Sequence, residues 1–302
     1  MEPEVITVGL DGTRESLAAA RWAAGEADRR HAVLRLLHAW ILLAQGPETP
    51  PQRDRNAGAR RVVEQALDEV RADHRELRVI EDLVAAEAVP ALLRAAEESR
   101  LLALGSRALT AWESYVLGDI SLEVVGRAER PVVLVREGWS GRQPLPGAGA
   151  EGEEIPSPAP HVVVGMSLKG PCDALLSFAF DAAARRGLPL RAVHGRALPV
   201  TAYAPWGVDP EAAGEIVKEG EDALREAVRP WRKRYPGVEL GLTVRPESPT
   251  RALVRSVPGA VLLAVGRRRH RALVPRVGPV AHAAMHHAPC PVAVVPEEGS
   301  AA

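Results

Sequence analysis

The chain has 302 residues, of which 46 % are hydrophobic and only 4 % aromatic, and its formal net charge is -1. At about 150 residues per domain this length predicts two domains. The near-neutral charge disfavours a general nucleic-acid binder, and no apolar run reaches the ~18 residues of a membrane span. The N-terminus lacks signal-peptide features, and Cys172 and Cys290 give no disulfide framework. We therefore expect a cytoplasmic protein without nucleic-acid or membrane partners.

Short runs of Val, Leu and Ile alternate with longer stretches rich in Ala, Glu and Arg. In the first half the apolar runs lie near 4–10, 33–38, 77–84, 101–104 and 131–136. They are apolar almost throughout, as is typical of strands buried on both faces of a parallel sheet. Between two of them, one helical face carries the apolar residues Val62, Val63, Ala66, Leu67 and Val70. The alternation predicts an α/β fold, with a doubly wound, Rossmann-like sheet of five mainly parallel strands and helices on both faces.

The second half of the chain repeats the first. The alignment pairs VITVGLDGTRESLAAARWAA with VVVGMSLKGPCDALLSFAFDAA, VLRLLHAW with PLRAVHGR, LLALGSR with LLAVGRR and ERPVVLVR with PCPVAVVP. The segment between the copies is rich in Gly, Pro, Glu and Ser and has no periodicity, which indicates a linker. We therefore predict two tandem domains, with domain 1 at 1–137, the linker at 138–159 and domain 2 at 160–297.

These motifs, together with AHAAMHHAPCPVAVV at 281–295, resemble a tandem, two-domain universal stress protein over nearly the whole chain outside the linker. In ATP-binding members of that family a glycine ends the fourth strand and a second glycine follows after two residues. Nine residues later comes a glycine followed by Ser or Thr. Glycines let a backbone approach phosphates, and a helix start favours an anion. The resemblance therefore implies an ATP site beyond the carboxyl ends of the strands.

Domain 1 keeps part of this phosphate loop. Gly105 and Gly118 stand at the first and last glycine positions, whereas Ala108 replaces the middle glycine and Asp119 replaces the Ser or Thr. A carboxylate at a helix start repels a triphosphate at close range, unless a Mg²⁺ ion lies between them. Nearby groups that offer positive charge or a hydroxyl are Arg107, Arg127 and Ser121.

The turn Asp11–Gly12–Thr13 after the first strand is intact in domain 1. The resemblance implies that Asp11 lies beside the nucleotide and that the backbone at Ala39 meets adenine. The alternative for Asp11 is a turn or cap residue that closes the strand-to-helix connection. The predicted site holds ATP, with Mg²⁺ only as the nucleotide's companion, and comprises Asp11, Gly12, Thr13, Ala39, Val84, Gly105, Arg107, Gly118, Asp119 and Ser121.

Domain 2 departs further from the family pattern. Ser167 replaces the aspartate, Leu168 replaces the glycine after it, and Arg269 stands at the second glycine position. Pro279 replaces the Ser or Thr; it is tolerated in a first helical turn but lacks an N–H donor. We expect that domain 2 does not hold ATP in the family manner.

Three other features have simpler interpretations. GRRRHR at 266–271 is expected to be a solvated loop, with an anion site or a contact for acidic partners as the alternative. His282 and His286 are four residues apart, but no second Cys/His pair has matching spacing, so we predict no metal. His38 and His194 end matching strands and are expected to be structural, each hydrogen-bonded to a neighbouring loop.

No Walker lysine, GxSxG elbow or CxxC is present, so we expect a binding and stress-signalling protein and no efficient enzyme. Slow ATP hydrolysis in domain 1 is a weaker alternative. The rival hypothesis is a nucleotide-independent scaffold or interaction protein, which is favoured by Ala108, Asp119, Ser167, Arg269 and Pro279. The short apolar last strands predict that the two domains pair through them, which would hide unpaired backbone groups. The sequence leaves homodimerisation open.

Overall fold

The structure is a computed structural model that describes residues 3–40, 52–106, 119–138, 159–198, 203–204, 207–208, 210–268 and 277–297. The chain divides into two compact units, Met1–Arg142 and Gln143–Ala302. The first unit contains predicted domain 1 and the second contains predicted domain 2. Across the described ranges, no helix is both long and apolar enough to cross a membrane.

The first unit alternates strands and helices along the chain. Its elements are β1 (Val5–Gly9), α1 (Arg14–Arg30), β2 (Val33–Trp40), α2 (Gln52–Asp73), β3 (Val79–Ala85), α3 (Ala88–Glu97), β4 (Leu101–Ser106), α4 (Asp119–Arg127) and β5 (Val132–Arg136). The strands lie side by side in the order β5-β4-β1-β2-β3, and every pair is parallel. Each strand predicted for this half is confirmed, with ends that differ by at most two residues.

The second unit repeats this plan. Its elements are β6 (His161–Gly165), α5 (Asp173–Arg186), β7 (Leu190–Gly195), β8 (Tyr203–Ala204), β9 (Gly207–Val208), α6 (Pro210–Arg234), β10 (Leu240–Arg245), α7 (Pro249–Val254), β11 (Ala260–Arg268), α8 (Pro279–His287) and β12 (Val292–Glu297). Five parallel strands lie in the order β10-β7-β6-β11-β12. The short β8 and β9 form a separate antiparallel pair.

Aliphatic side chains build the core of each unit, as the low aromatic content requires. The predicted apolar face of α2 packs inward: Val63, Ala66 and Val70 are fully buried, whereas Val62 and Leu67 are half-buried at its margins. In the sheet, Leu101 and Leu102 of β4 are fully buried even though successive side chains point to opposite faces. Helices therefore cover both faces of the sheet, which leaves the carboxyl ends of its strands as the edge where ligands bind in such folds.

Candidate functional site

The carboxyl ends of β1, β2, β3 and β4 meet at one edge of the first unit's sheet. Gly9 is in register with Leu37 of β2 and with Leu104 of β4. Ala39 is in register with Val84 of β3. The turn at 11–13 and the glycine after Leu104 continue from these strand ends. The fold thus brings the predicted site residues of four segments to the same edge.

The turn at Asp11–Gly12–Thr13 is held by its own side chains. Asp11 Oδ1 accepts hydrogen bonds from the Thr13 backbone N–H at 2.9 Å and from the Thr13 hydroxyl at 2.6 Å. The Thr13 Oγ1 in turn accepts from the Ser16 N–H at 3.2 Å and so caps α1. Gly12 has φ +82°, which favours glycine. Asp11 therefore serves as a turn residue, and its carboxylate is also exposed at the sheet edge.

A histidine braces this turn in each unit. The Nδ1 atom of His38 lies 2.8 Å from the carbonyl oxygen of Leu10. The Nδ1 atom of His194 lies 3.0 Å from the carbonyl oxygen of Met166. Because a carbonyl oxygen only accepts, each Nδ1 carries the donated proton. The expected structural role of both histidines is confirmed.

Gly105 is required by packing, whatever the site binds. A Cβ atom at this position would lie 2.6 Å from the carbonyl carbon of Glu15 and 2.6 Å from the backbone nitrogen of Ser16. The backbone at the start of α1 therefore packs in direct contact with β4. At the matching position in the second unit, a Cβ on Gly266 would meet side-chain atoms, of which the nearest are the Glu297 Cγ at 3.2 Å and the Leu175 Cδ2 at 3.5 Å. Packing against α1 therefore explains the glycine at position 105 without any contact to a phosphate.

The remaining phosphate-loop residues are partly described. Arg107, Ala108 and Gly118 lie outside the described residues, and α4 begins at Asp119, directly after the last glycine. Ser121 is half-buried in the first turn of that helix. The Arg127 guanidinium lies 2.5 Å from the Glu123 carboxylate, so a neighbouring carboxylate already offsets its charge.

Ser106 is a candidate site residue that sequence reasoning missed. Its side chain is 4 % exposed, and its Oγ makes no hydrogen bond within the described part of the chain. Buried hydroxyls nearly always have a partner, so an unpaired one beside Gly105 indicates a place for a water or ligand atom. The sequence offered no signal, because a serine at the end of an apolar strand also fits an ordinary core.

The second unit has a cavity of about 800 Å³ at the corresponding edge of its own sheet. Strand ends and the loop after β6 form it, including Gly165, Ser167 and His194. Its apolar wall consists of Met166, Leu168, Leu175, Val193, Leu253 and Val280. Although the phosphate loop of this unit is altered, the unit therefore retains a space of ligand size.

Glu297 is the buried carboxylate of this cavity. Its Oε1 accepts the Leu175 backbone N–H at 2.8 Å and so satisfies the start of α5, where the N-cap residue Cys172 makes no side-chain cap hydrogen bond. Burial raises the pKa of Glu297 to about 7, against the opposing effect of the Leu175 hydrogen bond. Burial, together with Glu297, also raises the pKa of Cys172 to about 11. Glu137, at the matching position in the first unit, is instead half-exposed and pairs with Arg14 at 3.4 Å.

The basic run at 266–271 is not simply a solvated loop, and that expectation is corrected. Gly266 to Arg268 belong to β11, because this strand stays paired with β12 as far as Glu297. Arg267 is only 7 % exposed. Arg268 is exposed and donates to the Ser167 Oγ at 3.2 Å. Residues 269–271 lie outside the described ranges.

Two histidines of α8 form a close pair. The Nε2 atoms of His282 and His286 are 3.2 Å apart. Among the residues that the structure describes, no group of three or more His, Cys, Asp or Glu side chains is arranged to hold a metal ion. Pro279 occupies the first turn of this helix, as the sequence predicts, after Gly278 as N-cap.

Comparisons with known proteins agree with this architecture. The model of the universal stress protein family matches residues 3–136 and again 159–296. The Mycobacterium tuberculosis universal stress protein Rv2005c is 32 % identical over 302 residues, which cover 96 % of each chain. Rv2623 of the same organism is 29 % identical and covers 87 % of this chain and 86 % of its own. A solved universal stress protein from Archaeoglobus fulgidus shares the fold, with a TM-score of 0.69 at 16 % identity over 98 % of this chain and 99 % of its own.

Proposed function

The chain belongs to the universal stress protein family, and on that premise we propose that it binds an adenine nucleotide, ATP, in its first unit. The observation that carries this proposal is the preformed turn at Asp11–Gly12–Thr13, which lies beside the ends of the neighbouring strands. The proposed role is in stress-response signalling by binding, without efficient turnover.

The chemistry of the turn suits the sugar and base of a nucleotide. A carboxylate accepts hydrogen bonds from hydroxyl groups but repels phosphates, so Asp11 is expected to face the ribose. Its hydrogen bonds with Thr13 hold the Asp11 side chain in one conformation before a ligand binds. The loss of conformational entropy on binding is therefore smaller. The half-buried Ala39 and Val84 on adjacent strands supply a small, mostly apolar surface for the base. The hydroxyl of Ser106, which has no hydrogen-bond partner among the described residues, adds a polar group at the same edge.

The phosphates are proposed to lie near the start of α4. The free N–H groups and the dipole of a helix N-terminus favour an anion there. The carboxylate of Asp119 at this helix start opposes a triphosphate, and a Mg²⁺ ion between carboxylate and phosphates would offset the repulsion. We therefore expect ATP to bind more tightly with Mg²⁺ than without it.

A nucleotide-independent scaffold is the second candidate function. One observation favours it: Gly105 is needed for the packing of β4 against α1. Its presence is therefore explained without a nucleotide. On this hypothesis the chain acts through protein partners, and the strand-end turn is only a structural connection.

Titration calorimetry of the full chain with ATP, with and without Mg²⁺, tests the proposal. In Asp11→Asn the amide oxygen still accepts from Thr13, so the turn is kept while the charge is lost. We expect this variant to bind ATP about tenfold more weakly, because one charge-assisted hydrogen bond to the ligand is lost. Ser167→Ala, the matching position in the second unit, is the control and should bind as wild type does. An absence of binding at millimolar ATP would favour the scaffold, and equal effects of both variants would refute a site at Asp11.

A further inference from the structure

We propose that the cavity of the second unit binds a phosphate-free heteroaromatic molecule of about nucleoside size, which donates an N–H or O–H hydrogen bond to Glu297. This inference is independent of ATP binding in the first unit. It rests on the size of the cavity, its apolar walls and the buried carboxyl group of Glu297 that lines it.

The walls of the cavity select for a ligand with apolar faces. Its volume of about 800 Å³ falls within the range of small-molecule sites. The side chains of Met166, Leu175, Val193 and Leu253 are buried along its lining, and Val280 lines it as well. A flat ring presents apolar faces to such side chains and keeps its polar groups at the edge.

Glu297 supplies the polar contact. Glu297 is only 6 % exposed. Within the described part of the chain, its carboxyl group accepts one hydrogen bond, from the Leu175 N–H. A carboxylate has capacity for more than one donor. Burial keeps water away from it and raises its pKa to about 7. A ligand N–H or O–H would replace a hydrogen bond to water that this carboxyl group loses on burial. Binding of a ligand that donates to Glu297 would therefore be favoured.

The same carboxyl group disfavours phosphate. The Glu297 side chain lies against Gly266, the counterpart of the glycine that ends the fourth strand in the first unit. It also takes the α5 N–H that an anion would otherwise receive. Asp173 in the first turn of α5 adds negative charge, which contributes to the raised pKa of Glu297.

Within the described part of the chain, the arginines and the lysine that line the cavity are already engaged or exposed. Arg268 is the cation that acts on Glu297, and its guanidinium also donates to the Ser167 Oγ. Arg196 pairs with Glu219 at 3.0 Å, and Lys169, the third Lys or Arg among the described residues that line the cavity, is exposed in the loop after β6. An uncharged donor ligand therefore meets less repulsion at Glu297 than a nucleotide does.

Cys172 provides a readout that is specific to this cavity. It lines the cavity and is half-buried, whereas Cys290 is buried elsewhere in the unit, and these are the only two cysteines of the chain. The test is the rate at which N-ethylmaleimide modifies Cys172 in the full chain, followed by peptide mass spectrometry. Adenosine and AMP serve as probes, because they share one base and sugar and differ by a phosphate.

We expect adenosine to slow the modification of Cys172 several-fold and AMP to have little effect at the same concentration. In Glu297→Gln the amide oxygen keeps the Leu175 hydrogen bond but the carboxylate acceptor is lost. The adenosine concentration for half-protection should then rise about tenfold. Glu226→Gln, which changes an exposed carboxylate of α6 that does not line the cavity, is the control and should behave as wild type does.

Rates are compared with and without probe within each variant, because Glu297 itself affects the pKa of Cys172. Any one of three results would overturn the proposal. These are no protection by adenosine at millimolar concentration, equal protection by AMP, and an unchanged half-protecting concentration in Glu297→Gln.

Discussion

The Nδ1 atom of His38 lies 2.8 Å from the carbonyl oxygen of Leu10, and this contact ties the end of β2 to the turn that follows β1. The second unit repeats the contact between His194 and Met166 at 3.0 Å. Both units therefore use the same brace, although only the first unit continues into an Asp-Gly-Thr turn. The brace is a feature of the fold, and the turn beyond it is where the two units differ.

Substitution of each histidine should distinguish its role in stability, which both units share, from a role in ATP binding, which we expect only in the first unit. His38→Ala and His194→Ala each lose one partly buried hydrogen bond, so each should lower the free energy of unfolding by about 1 kcal/mol in urea titrations. Only His38→Ala should also weaken ATP binding in calorimetry, because only that histidine positions the Asp11 turn. If His194→Ala weakened ATP binding equally, the assignment of the site to the first unit would be wrong.

Alanine at the two matching glycines should have unequal effects. In Gly105→Ala the new methyl group would lie 2.6 Å from the backbone of Glu15, which cannot move without shifting α1. We expect a loss of roughly 1–3 kcal/mol of unfolding free energy, typical of overpacking. Gly266→Ala should cost less, because the nearest atom belongs to the side chain of Glu297 at 3.2 Å. Urea midpoints of the two variants decide this, and equal losses would refute the packing argument for Gly105.

Glu297 should make the stability of the chain depend on pH. Its pKa rises from an ordinary 4.5 to about 7 in the folded state. The folded state therefore holds the proton more tightly than the unfolded state does. This contribution is fully present below the unfolded pKa and is lost as the pH rises towards the folded one. Glu297→Gln does not titrate, so its stability relative to wild type should increase between about pH 5 and pH 8. Urea titrations at both ends of that range measure the change, and a constant difference would contradict a raised pKa.

Asp119→Ser should tighten ATP binding. The substitution removes a carboxylate from the start of α4, where it would oppose the phosphates of the proposed ATP, and introduces a hydroxyl in its place. The gain should be greatest without Mg²⁺, because an ion between the carboxylate and the phosphates would offset the repulsion in wild type. Calorimetry with and without Mg²⁺ measures both effects. An unchanged affinity would show that the carboxylate does not oppose the phosphates.

The sequence predicts those features of the fold that depend on the residues of a single segment. Runs such as Leu101–Leu104 are apolar on both faces because both faces are buried, so strands and their order along the chain could be derived. The turn role of Asp11 and the brace at His38 also follow from residues close to a strand end.

Contacts between distant segments could not be derived in this way. Glu297 caps a helix start at Leu175, 122 residues earlier in the chain, and no spacing rule connects the two. Its counterpart Glu137 is half-exposed beside Arg14, so even the repeat gives no hint of the buried environment. Arg267 was placed in a loop because charge clusters usually face water, but its strand continues for as long as β12 offers a partner.

Native mass spectrometry of the full chain with Mg²⁺ and ATP tests the central claim most directly. The account predicts one ATP per chain, lost in Gly118→Val and retained in Gly278→Val. Gly278 is the matching glycine of the second unit, and no atom of the described residues lies within 4 Å of a Cβ added there. Two ATP molecules per chain would contradict the exclusion of phosphate by Glu297. No bound ATP, or equal loss in both variants, would contradict a nucleotide site in the first unit.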